Sequence, residues 1–193
     1  ERNINVVITG SNASLLSKEL GTKLTGRYQQ KELFPFNFNE FLIYKKKDAS
    51  LDSFIEFFEL GGFPEYLEEP DPDYHRILLR DIIIRDIAVR RNLQNEKQLL
   101  RLAVHLLTNI GKEFSYNKLS KILEIKSVRT VIDYCDYLTE SYLVDLVPMF
   151  SWSASKQIAN AKKAYAVDAA FAVSNSLSFS KDMGRRLENM VYN

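Results

Sequence analysis

Two short segments near the start of the chain contain residue types that handle phosphate groups. Val6-Val7-Ile8 leads into Thr9-Gly10-Ser11-Asn12, and Gly26-Arg27 ends the helical pattern that follows. A polar residue at the tip of a parallel strand can hydrogen-bond a γ-phosphate or the attacking water, because ligands lie at the carboxyl ends of such strands. An arginine adds a permanent charge and bidentate donors. Taken separately, each pattern is better explained by an ordinary strand-to-helix turn or by a solvated surface charge.

The composition excludes several classes of protein. The chain has 193 residues and is 46% hydrophobic, which is enough to bury one substantial core or two small ones. Lys+Arg of 26 against Asp+Glu of 25 leaves a net charge of +1, which does not indicate a dedicated nucleic-acid binder, although a local basic face stays open. No run resembles a membrane span or a signal peptide, so we expect a cytoplasmic protein with no membrane partner.

The sequence offers few ligands for a metal ion. Cys135 is the single cysteine, which excludes a disulfide framework, and no basic neighbour activates it as a nucleophile. With His75 and His105 as the only histidines, a structural zinc site is not expected. We therefore predict a packed thiol at Cys135 and no metal site in the chain.

Hydrophobic periodicity predicts an α+β fold that is mostly helical. A β-branched run over residues 3–10 is typical of a buried parallel strand, and Lys31-Glu32-Leu33 is a further candidate strand. Asn39 caps a helix that begins at Glu40 within the aromatic block of residues 34–41, or Asn37 does so with Glu40 completing a capping box. Further helices are predicted over residues 53–60, 74–93, 97–110, 117–123 and 127–141, and further strands over 114–116, 143–150 and 164–167.

Residues 97–167 follow the order helix, short strand, helix, helix and two-stranded hairpin, which is the order of a winged helix. The recognition helix carries one basic residue, Arg129, among acids that repel phosphate, namely Asp133, Asp136 and Glu140. A basic rim can still form from Lys126, Lys156, Lys162 and Lys163. Two roles are therefore open for this unit: DNA contact through Arg129 and these lysines, or packing against protein, which we favour.

The helix predicted over residues 74–93 is unusually rich in arginine, at positions 76, 80, 85, 90 and 91, with acids between them. Five residues advance about 140° on a helix, so these charges wind around it. Asp81 with Arg85, and Asp86 with Arg90, form i,i+4 pairs that stabilise a helix modestly. We predict a helix contacted on several sides, in preference to a phosphate-binding face.

Several blocks occur together in a fixed order along the chain. After Val6–Asn12 and Leu24–Arg27 come the aromatic block of residues 34–41, Gly61-Gly62-Phe63-Pro64-Glu65-Tyr66, Asp81–Ile87, Lys163–Asp168 and Gly184–Asn189. Together they resemble a prokaryotic group of AAA+ superfamily ATPases, archaeal and bacterial, with a C-terminal domain of unknown function. The resemblance covers nearly the whole chain, and its aromatic and Gly-Gly-Phe-Pro blocks are the more specific markers.

The resemblance implies a division of the chain into four parts. Residues 1–39 would be the edge of a P-loop NTPase sheet, with the sensor-1 strand and the Gly-Arg motif. Residues 40–95 would form a helical lid, residues 96–168 the winged helix, and residues 169–193 the start of a restriction-endonuclease-like domain. The fold expected from it is therefore α+β and mostly helical.

The resemblance also implies roles for individual residues. Ser11 matches the sensor-1 residue, with Asn12 second, and Arg27 resembles a phosphate-sensing or finger arginine that acts in cis or on a neighbouring subunit. Glu188 matches the first-helix acid of the nuclease-like domain. The residues expected beside the nucleotide are Thr9, Gly10 and Gly26.

Neither G-x-x-x-x-G-K-[ST] nor an acidic Walker B strand occurs in the sequence. We therefore expect a segment of a larger ATPase that binds ATP and Mg²⁺, whereas the segment alone binds neither. Its expected partner is the missing N-terminal ATPase core, with DNA and a second copy of the chain left open. In this interpretation the lid relays nucleotide state to the winged helix. The alternatives are a DNA-binding winged helix or a non-catalytic protein-interaction module.

We predict negligible ATP hydrolysis by the purified 193-residue chain, because it lacks the lysine, backbone cradle and magnesium ligands of a P-loop. Phosphate release in the presence of Mg²⁺ measures this directly. An Arg27→Ala variant is the control. Turnover that this variant lowers would contradict the prediction, whereas equal turnover in both preparations comes from a contaminant.

Overall fold

The computed structural model describes residues 7, 9–10, 29, 31–153, 160–177 and 182–193, which form a mixed α+β fold that is mostly helical. The helices are α1 (Phe38–Lys45), α2 (Leu51–Leu60), α3 (Pro64–Glu68), α4 (Tyr74–Asp81) with a π-helical continuation (Ile82–Val89), α5 (Glu96–Thr108), α6 (Tyr116–Ile122), α7 (Val128–Glu140), α8 (Ala169–Ser174) and α9 (Met183–Tyr192). The strands are β1 (Glu113–Phe114), β2 (Val144–Pro148) and β3 (Lys162–Ala166).

The strands of the described residues form an antiparallel sheet in which β3 lies between β1 and β2. Val144 of β2 pairs with Ala166 of β3, and Phe114 of β1 pairs with Lys162. The first half of β3 is partly exposed and its second half, Ala164–Ala166, is buried. The chain therefore leaves β3 inside the protein, and Asp168 is delivered to the interior.

The main core surrounds α5, whose apolar residues recur at helical spacing on one buried face. This face packs against the long α4–π helix, against α7 and against the sheet, and Phe171 of α8 closes the core. Complete burial of a leucine or phenylalanine side chain contributes about 1.5–3 kcal/mol. The completely or almost completely buried residues include Leu79, Ile83, Leu99, Leu102, Leu106, Leu138, Ala166 and Phe171.

A second, smaller core of aromatic residues joins α1 to α2. Phe41 is fully buried, and its ring centre lies 5.2 Å from that of Phe57. The entry to α1 is fixed by the predicted capping box, in which Asn37 Oδ1 accepts from the Glu40 amide at 3.0 Å and Glu40 returns the bond to the Asn37 amide. Of the two caps that the sequence left open, the structure has the one at Asn37, and Asn39 lies inside α1, which begins at Phe38.

The arginine-rich helix forms the two i,i+4 ion pairs that its sequence predicts. Arg85 lies 3.3 Å from Asp81 and Arg90 lies 3.7 Å from Asp86. Further along, Arg91 pairs with Glu140 at the end of α7, and its guanidinium lies 4.7 Å from the Tyr137 ring centre. This helix therefore contacts α7 through its charges as well as through its core face.

Some elements differ from those expected. Lys31-Glu32-Leu33 forms no strand: these residues are exposed, and the described part of the chain places no strand beside them to complete their backbone hydrogen bonds. Of residues 3–10, Val7, Thr9 and Gly10 are described; they are exposed and outside any strand, and no parallel sheet occurs in the described residues to bury them. The extended piece over 114–116 is shorter than expected, because Ser115 caps α6 and Tyr116 begins it.

Candidate functional site

The nucleotide-handling residues expected from the sequence lie mostly outside the described residues. Thr9 and Gly10 are described, and both are exposed. Their roles, and those of the residues outside the described ranges, remain predictions. The latter are Ser11, Asn12, Gly26, Arg27 and, in the wing, Lys156.

The described residues converge on a buried carboxylate, that of Asp168, which is 6% exposed. Its Oδ1 accepts a hydrogen bond from the Phe171 amide at 2.8 Å and so caps α8. Its Oδ2 accepts from the amide of Gly62 at 2.8 Å, across 106 positions of sequence. Burial raises the pKa of Asp168, and the amides of Phe171, Gly62 and Ala170 oppose this rise. The carboxylate thus joins the end of α2 to the start of α8.

The Gly61-Gly62 pair is the surface that receives this carboxylate. Gly61 has a φ of 73°, a conformation that favours glycine, and a β-carbon on it would collide with the Asp168 carboxylate. A β-carbon on Gly62 would collide with the backbone of Phe36, whose amide donates to the Gly62 carbonyl at 2.7 Å. Both glycines are therefore required by close contact, one with Asp168 and the other with the aromatic block.

Helix α9 is attached to the same junction by two buried polar side chains. Arg186 donates to the carbonyl oxygen of Phe58 at 2.5 Å, and its guanidinium lies 4.1 Å from the Phe58 ring centre. Asn189 accepts from the Ala166 amide at 2.7 Å and donates to the Ala166 carbonyl at 3.0 Å. A cation near the C-terminus of α2 also suits the dipole of that helix. Three sequence blocks, around residues 61, 166 and 186, therefore meet at one place.

Two residues with different predicted roles form an ion pair. Glu188 accepts from the ammonium of Lys163 at 2.7 Å and from the hydroxyl of Tyr165 at 2.7 Å. The bond from Lys163 lowers the pKa of Glu188, and the same bond raises the pKa of Lys163. Neither a nuclease-like role for Glu188 nor a nucleic-acid role for Lys163 is tested by this arrangement. As placed, the two charges neutralise each other.

The other residues of the predicted DNA-binding set are dispersed. Arg129 lies 3.0 Å from Asp133, one turn away on α7. The ammonium of Lys162 lies 4.9 Å from the Tyr116 ring centre, and Lys126 is exposed. Burial, then Asp133 and Glu140, raise the pKa of Asp136 on α7. The face of α7 that carries these residues is therefore acidic.

A buried histidine on α4 packs against α8. His75 is 2% exposed, its Nδ1 is 3.0 Å from the hydroxyl oxygen of Ser174, and its Nε2 has no hydrogen-bond partner among the described residues. Burial lowers its pKa to about 4. Tyr66 and Phe171 contribute two of the aromatic rings around it, with centres at 4.5 and 5.8 Å. His75 is thus held neutral in an aromatic pocket.

An open groove of about 730 Å³ lies next to the junction. We call it the aromatic groove. Residues 34–38 form one wall, the ends of β2 and β3 form the floor, and α9 forms the other wall. The stacked rings of Tyr165 and Tyr192, with centres 4.2 Å apart, lie within it. A volume of this size is in the range of ligand-binding clefts.

The remaining chemistry of the described residues is limited. In the ranges that the structure describes, no group of three or more His, Cys, Asp or Glu side chains could hold a metal ion. Burial raises the pKa of the Cys135 thiol to about 12, so the thiol remains protonated and packed. Of the helices described, none is both long and apolar enough to cross a membrane.

The sequence alone does not reveal the roles of four buried polar residues, namely Asp168, Arg186, Asn189 and His75. An aspartate between a strand and the run Ala169-Ala170-Phe171 is a recognisable N-cap. The sequence therefore indicates that Asp168 caps α8, but not that it also binds Gly62. Its second partner, Gly62, could not be identified from one sequence. Arg186 and Asn189 lie in the Gly184–Asn189 block, but nothing in the block indicates their buried partners.

Two family models match the chain. Residues 51–181 match the family described as a domain of unknown function, DUF8612. Because this match covers more than half of the chain, the chain belongs to the DUF8612 family. Residues 1–42 match a second family, described as an AAA domain. The AAA match thus precedes the match to the domain of unknown function, and the two do not overlap.

Two relatives align with almost the whole chain. An uncharacterized protein of Methanocaldococcus jannaschii, MJ1544, is 33% identical over 97% of this chain and 46% of its own length. An uncharacterized protein of Haemophilus influenzae is 30% identical over 98% of this chain and 50% of its own length. The chain thus spans about half the length of these relatives. No solved structure matches it significantly.

We predict that Gly62→Ala and Asp168→Asn both destabilise the protein. In Gly62→Ala the new methyl group collides with Phe36. In Asp168→Asn the side-chain NH₂ group faces one of the two backbone N–H donors, and this should lower the free energy of unfolding by about 1–3 kcal/mol. Chemical denaturation measures both changes. Gly184→Ala is the matched control: its β-carbon meets only Asp182 at 3.7 Å within α9, so the free energy of unfolding should rise by about 0.5–1 kcal/mol. Equal effects of the two alanines would refute the close contact at Gly62.

We predict that His75 makes the protein less stable as the pH falls below 6.5. Its folded pKa of about 4 lies below the ordinary 6.5, so between these values the unfolded chain binds a proton that the folded protein excludes. Between about pH 7.5 and pH 5, a His75→Phe variant should lose up to about 2 kcal/mol less unfolding free energy than the original protein. Ser174→Ala, which keeps the imidazole, should retain the original pH dependence. Identical pH profiles for the His75→Phe variant and the original protein would count against this role.

Proposed function

We propose that the chain is the nucleotide-responsive lid and relay of an AAA-type ATPase, and that its C-terminal unit transmits lid movement through protein contacts. The observation that carries this proposal is the buried Asp168 carboxylate, which binds the end of α2 and the start of α8 together. In the longer protein, ATP with Mg²⁺ would bind the core, and Ser11 and Arg27 would respond to its phosphates. Thr9, Gly10, Asn12 and Gly26 would lie beside them.

A continuous chain of contacts supports a relay. The AAA match ends at residue 42, inside α1, so residues 31–42 belong both to that match and to the described structure. Phe36 bonds to Gly62, and Gly62 bonds to Asp168. Two residues before Asp168, the backbone of Ala166 is held by Asn189 of α9. Movement of the AAA-matching end would therefore displace backbone groups that hold the C-terminal helix.

We further propose that residues 96–168 form a winged helix. The order α5, β1, α6, α7, β2 and β3, with β3 central in the sheet, supports this assignment. The third helix of such a unit, α7, is the one that would enter a DNA groove. Here α7 presents Asp133, Asp136 and Glu140, and Glu140 already pairs with Arg91 of the preceding helix. These contacts support a protein-packing role over DNA binding.

The relay predicts a specific pattern of hydrogen exchange in the longer protein that contains a complete ATPase core. ATP with Mg²⁺ should change amide exchange both in residues 31–62 and in residues 162–193. In an Asp168→Asn variant the first change should persist and the second should diminish, because the bond between Gly62 and Asp168 is weakened. In an Arg27→Ala variant both changes should diminish.

Asp182→Asn is the matched control for loss of an aspartate cap. Asp182 also caps a helix, accepting from the Arg185 amide at 3.2 Å, but it is exposed and lies away from Gly62. This variant should retain nucleotide-dependent exchange in both regions. If exchange in residues 162–193 is the same with and without nucleotide in the original protein, the relay is wrong.

A further inference from the structure

The aromatic groove has an apolar interior that is open to solvent. Phe34 on one wall is 60% exposed, and Val191 on α9 is 79% exposed. Leu187, one turn before Val191, is 45% exposed and faces the same groove. Exposed apolar side chains grouped around a cleft commonly mark a surface that a partner covers. The interior of the groove therefore favours an apolar occupant.

The charge of the groove is negative at its edges. Glu32 accepts a hydrogen bond from the hydroxyl of Tyr142 at 2.9 Å, and Asp145 accepts one from the hydroxyl of Tyr192. Both tyrosines line the groove, as does Asp145 itself. Burial raises the pKa of Tyr142, and burial and Asp145 raise the pKa of Tyr192 to about 12. Each hydroxyl therefore stays protonated near neutral pH and keeps a carboxylate at the edge.

No positive charge balances these carboxylates in the part of the chain that the structure describes. The lining of the groove contains no lysine, arginine or histidine. Within the described residues, neither Glu32 nor Asp145 forms an ion pair, whereas acids elsewhere, such as Asp81 and Glu140, do. An occupant with positive charges beside its apolar residues would complement both the interior and the edge.

We propose that the aromatic groove binds a segment of a partner protein in which apolar residues are flanked by lysine or arginine. The apolar residues enter between residues 34–38 and α9, and the cationic residues pair with Glu32 and Asp145. This inference rests on the proposed function, since the partner is the protein on which the relay acts. Both walls belong to the relay: one adjoins Gly62 through Phe36, and the other is held by Asn189.

Nucleic acid is a poor occupant for this site. Its phosphates would meet two carboxylates and no cation, and loss of counterions at such a surface gives no gain. A second copy of the chain is an outcome that the test distinguishes. It would make occupancy of the groove depend on protein concentration without any added ligand.

The test uses a labelled synthetic peptide with a central run of leucine and phenylalanine between lysines, titrated into the 193-residue chain and followed by fluorescence anisotropy. The peptide should bind, and binding should weaken as salt is added. An exposed ion pair changes affinity by at most about fivefold, so a Glu32→Gln/Asp145→Asn double variant should bind roughly three- to twentyfold more weakly. Hydrogen exchange should show protection in residues 34–38 and 187–193.

Two controls make the result specific. A Glu68→Gln/Glu69→Gln double variant removes two exposed acids away from the groove and should bind the peptide as the original chain does. A peptide with glutamates in place of its lysines should bind far more weakly. Comparable binding of the two peptides, unchanged affinity in the Glu32/Asp145 variant, or protection elsewhere would each overturn the proposal. So would competition by duplex DNA, or self-association that protects the groove before peptide is added.

The peptide-binding test of the groove can succeed or fail independently of the hydrogen-exchange test of the relay. Glu32 and Asp145 lie at the edge of the groove, and their described hydrogen bonds go to Tyr142, Tyr192 and the Leu146 amide, not to Gly62 or Asp168. Their double variant should therefore keep nucleotide-dependent exchange in residues 162–193 of the longer protein. Peptide binding without nucleotide-dependent exchange would support the groove and contradict the relay, and the reverse result would do the opposite.

Discussion

The architecture depends on a single desolvated carboxylate with an acceptor bond on each oxygen. Burying a charged group is unfavourable unless hydrogen bonds replace its water, and Asp168 receives them from the amides of Gly62 and Phe171. The two amides belong to segments that are distant in sequence, so neither segment alone can stabilise the charge. The end of α2 and the start of α8 must both be in place. Glycine occupies position 61 because a side chain there would displace the carboxylate, and position 62 because a side chain there would collide with the backbone of Phe36.

Helix α9 is joined to the backbone of two distant segments, in addition to the side-chain bonds of Glu188 and Tyr192. Arg186 binds a carbonyl near the end of α2, and Asn189 binds both backbone groups of Ala166. Backbone carbonyl and amide groups are the same for nearly every residue type. These bonds therefore fix the position of α9 without requiring particular side chains at the partner positions. The exposed side of α9 therefore forms part of the lining of the aromatic groove. A relay and a partner-binding surface can therefore share one helix without competing for the same side chains.

Local features of the fold could be predicted from sequence, and features that depend on distant pairing could not. The capping box of Asn37 and Glu40 and the stripe of α5 follow from spacings of three or four residues, which one sequence displays directly. The pairing of Lys163 with Glu188 spans 25 residues and joins a strand to a helix, so the sequence analysis treated the two residues as parts of separate sites. Asp168 lies between these cases, because its helix cap is local and its bond to Gly62 is not. The nucleotide-handling residues are a different case, since all of them except Thr9 and Gly10 lie outside the described residues.

The π-helical segment over Ile82–Val89 has a consequence for how the long helix tolerates change in length. The buried positions of the long helix, His75, Leu79, Ile83 and Ile87, recur every four residues. Four residues of an α-helix turn about 40° more than a full circle, so a stripe with this spacing would drift around the helix. The wider π turns reduce this drift, so the buried stripe stays nearly straight along the core. Because a π turn contains about one residue more than an α turn, deleting one residue there would restore α turns and leave the direction of Arg91 towards Glu140 nearly unchanged. The interval between His75 and Arg91 can therefore lose one residue within the π segment, whereas the same loss from a continuous α-helix would turn Arg91 by about 100°.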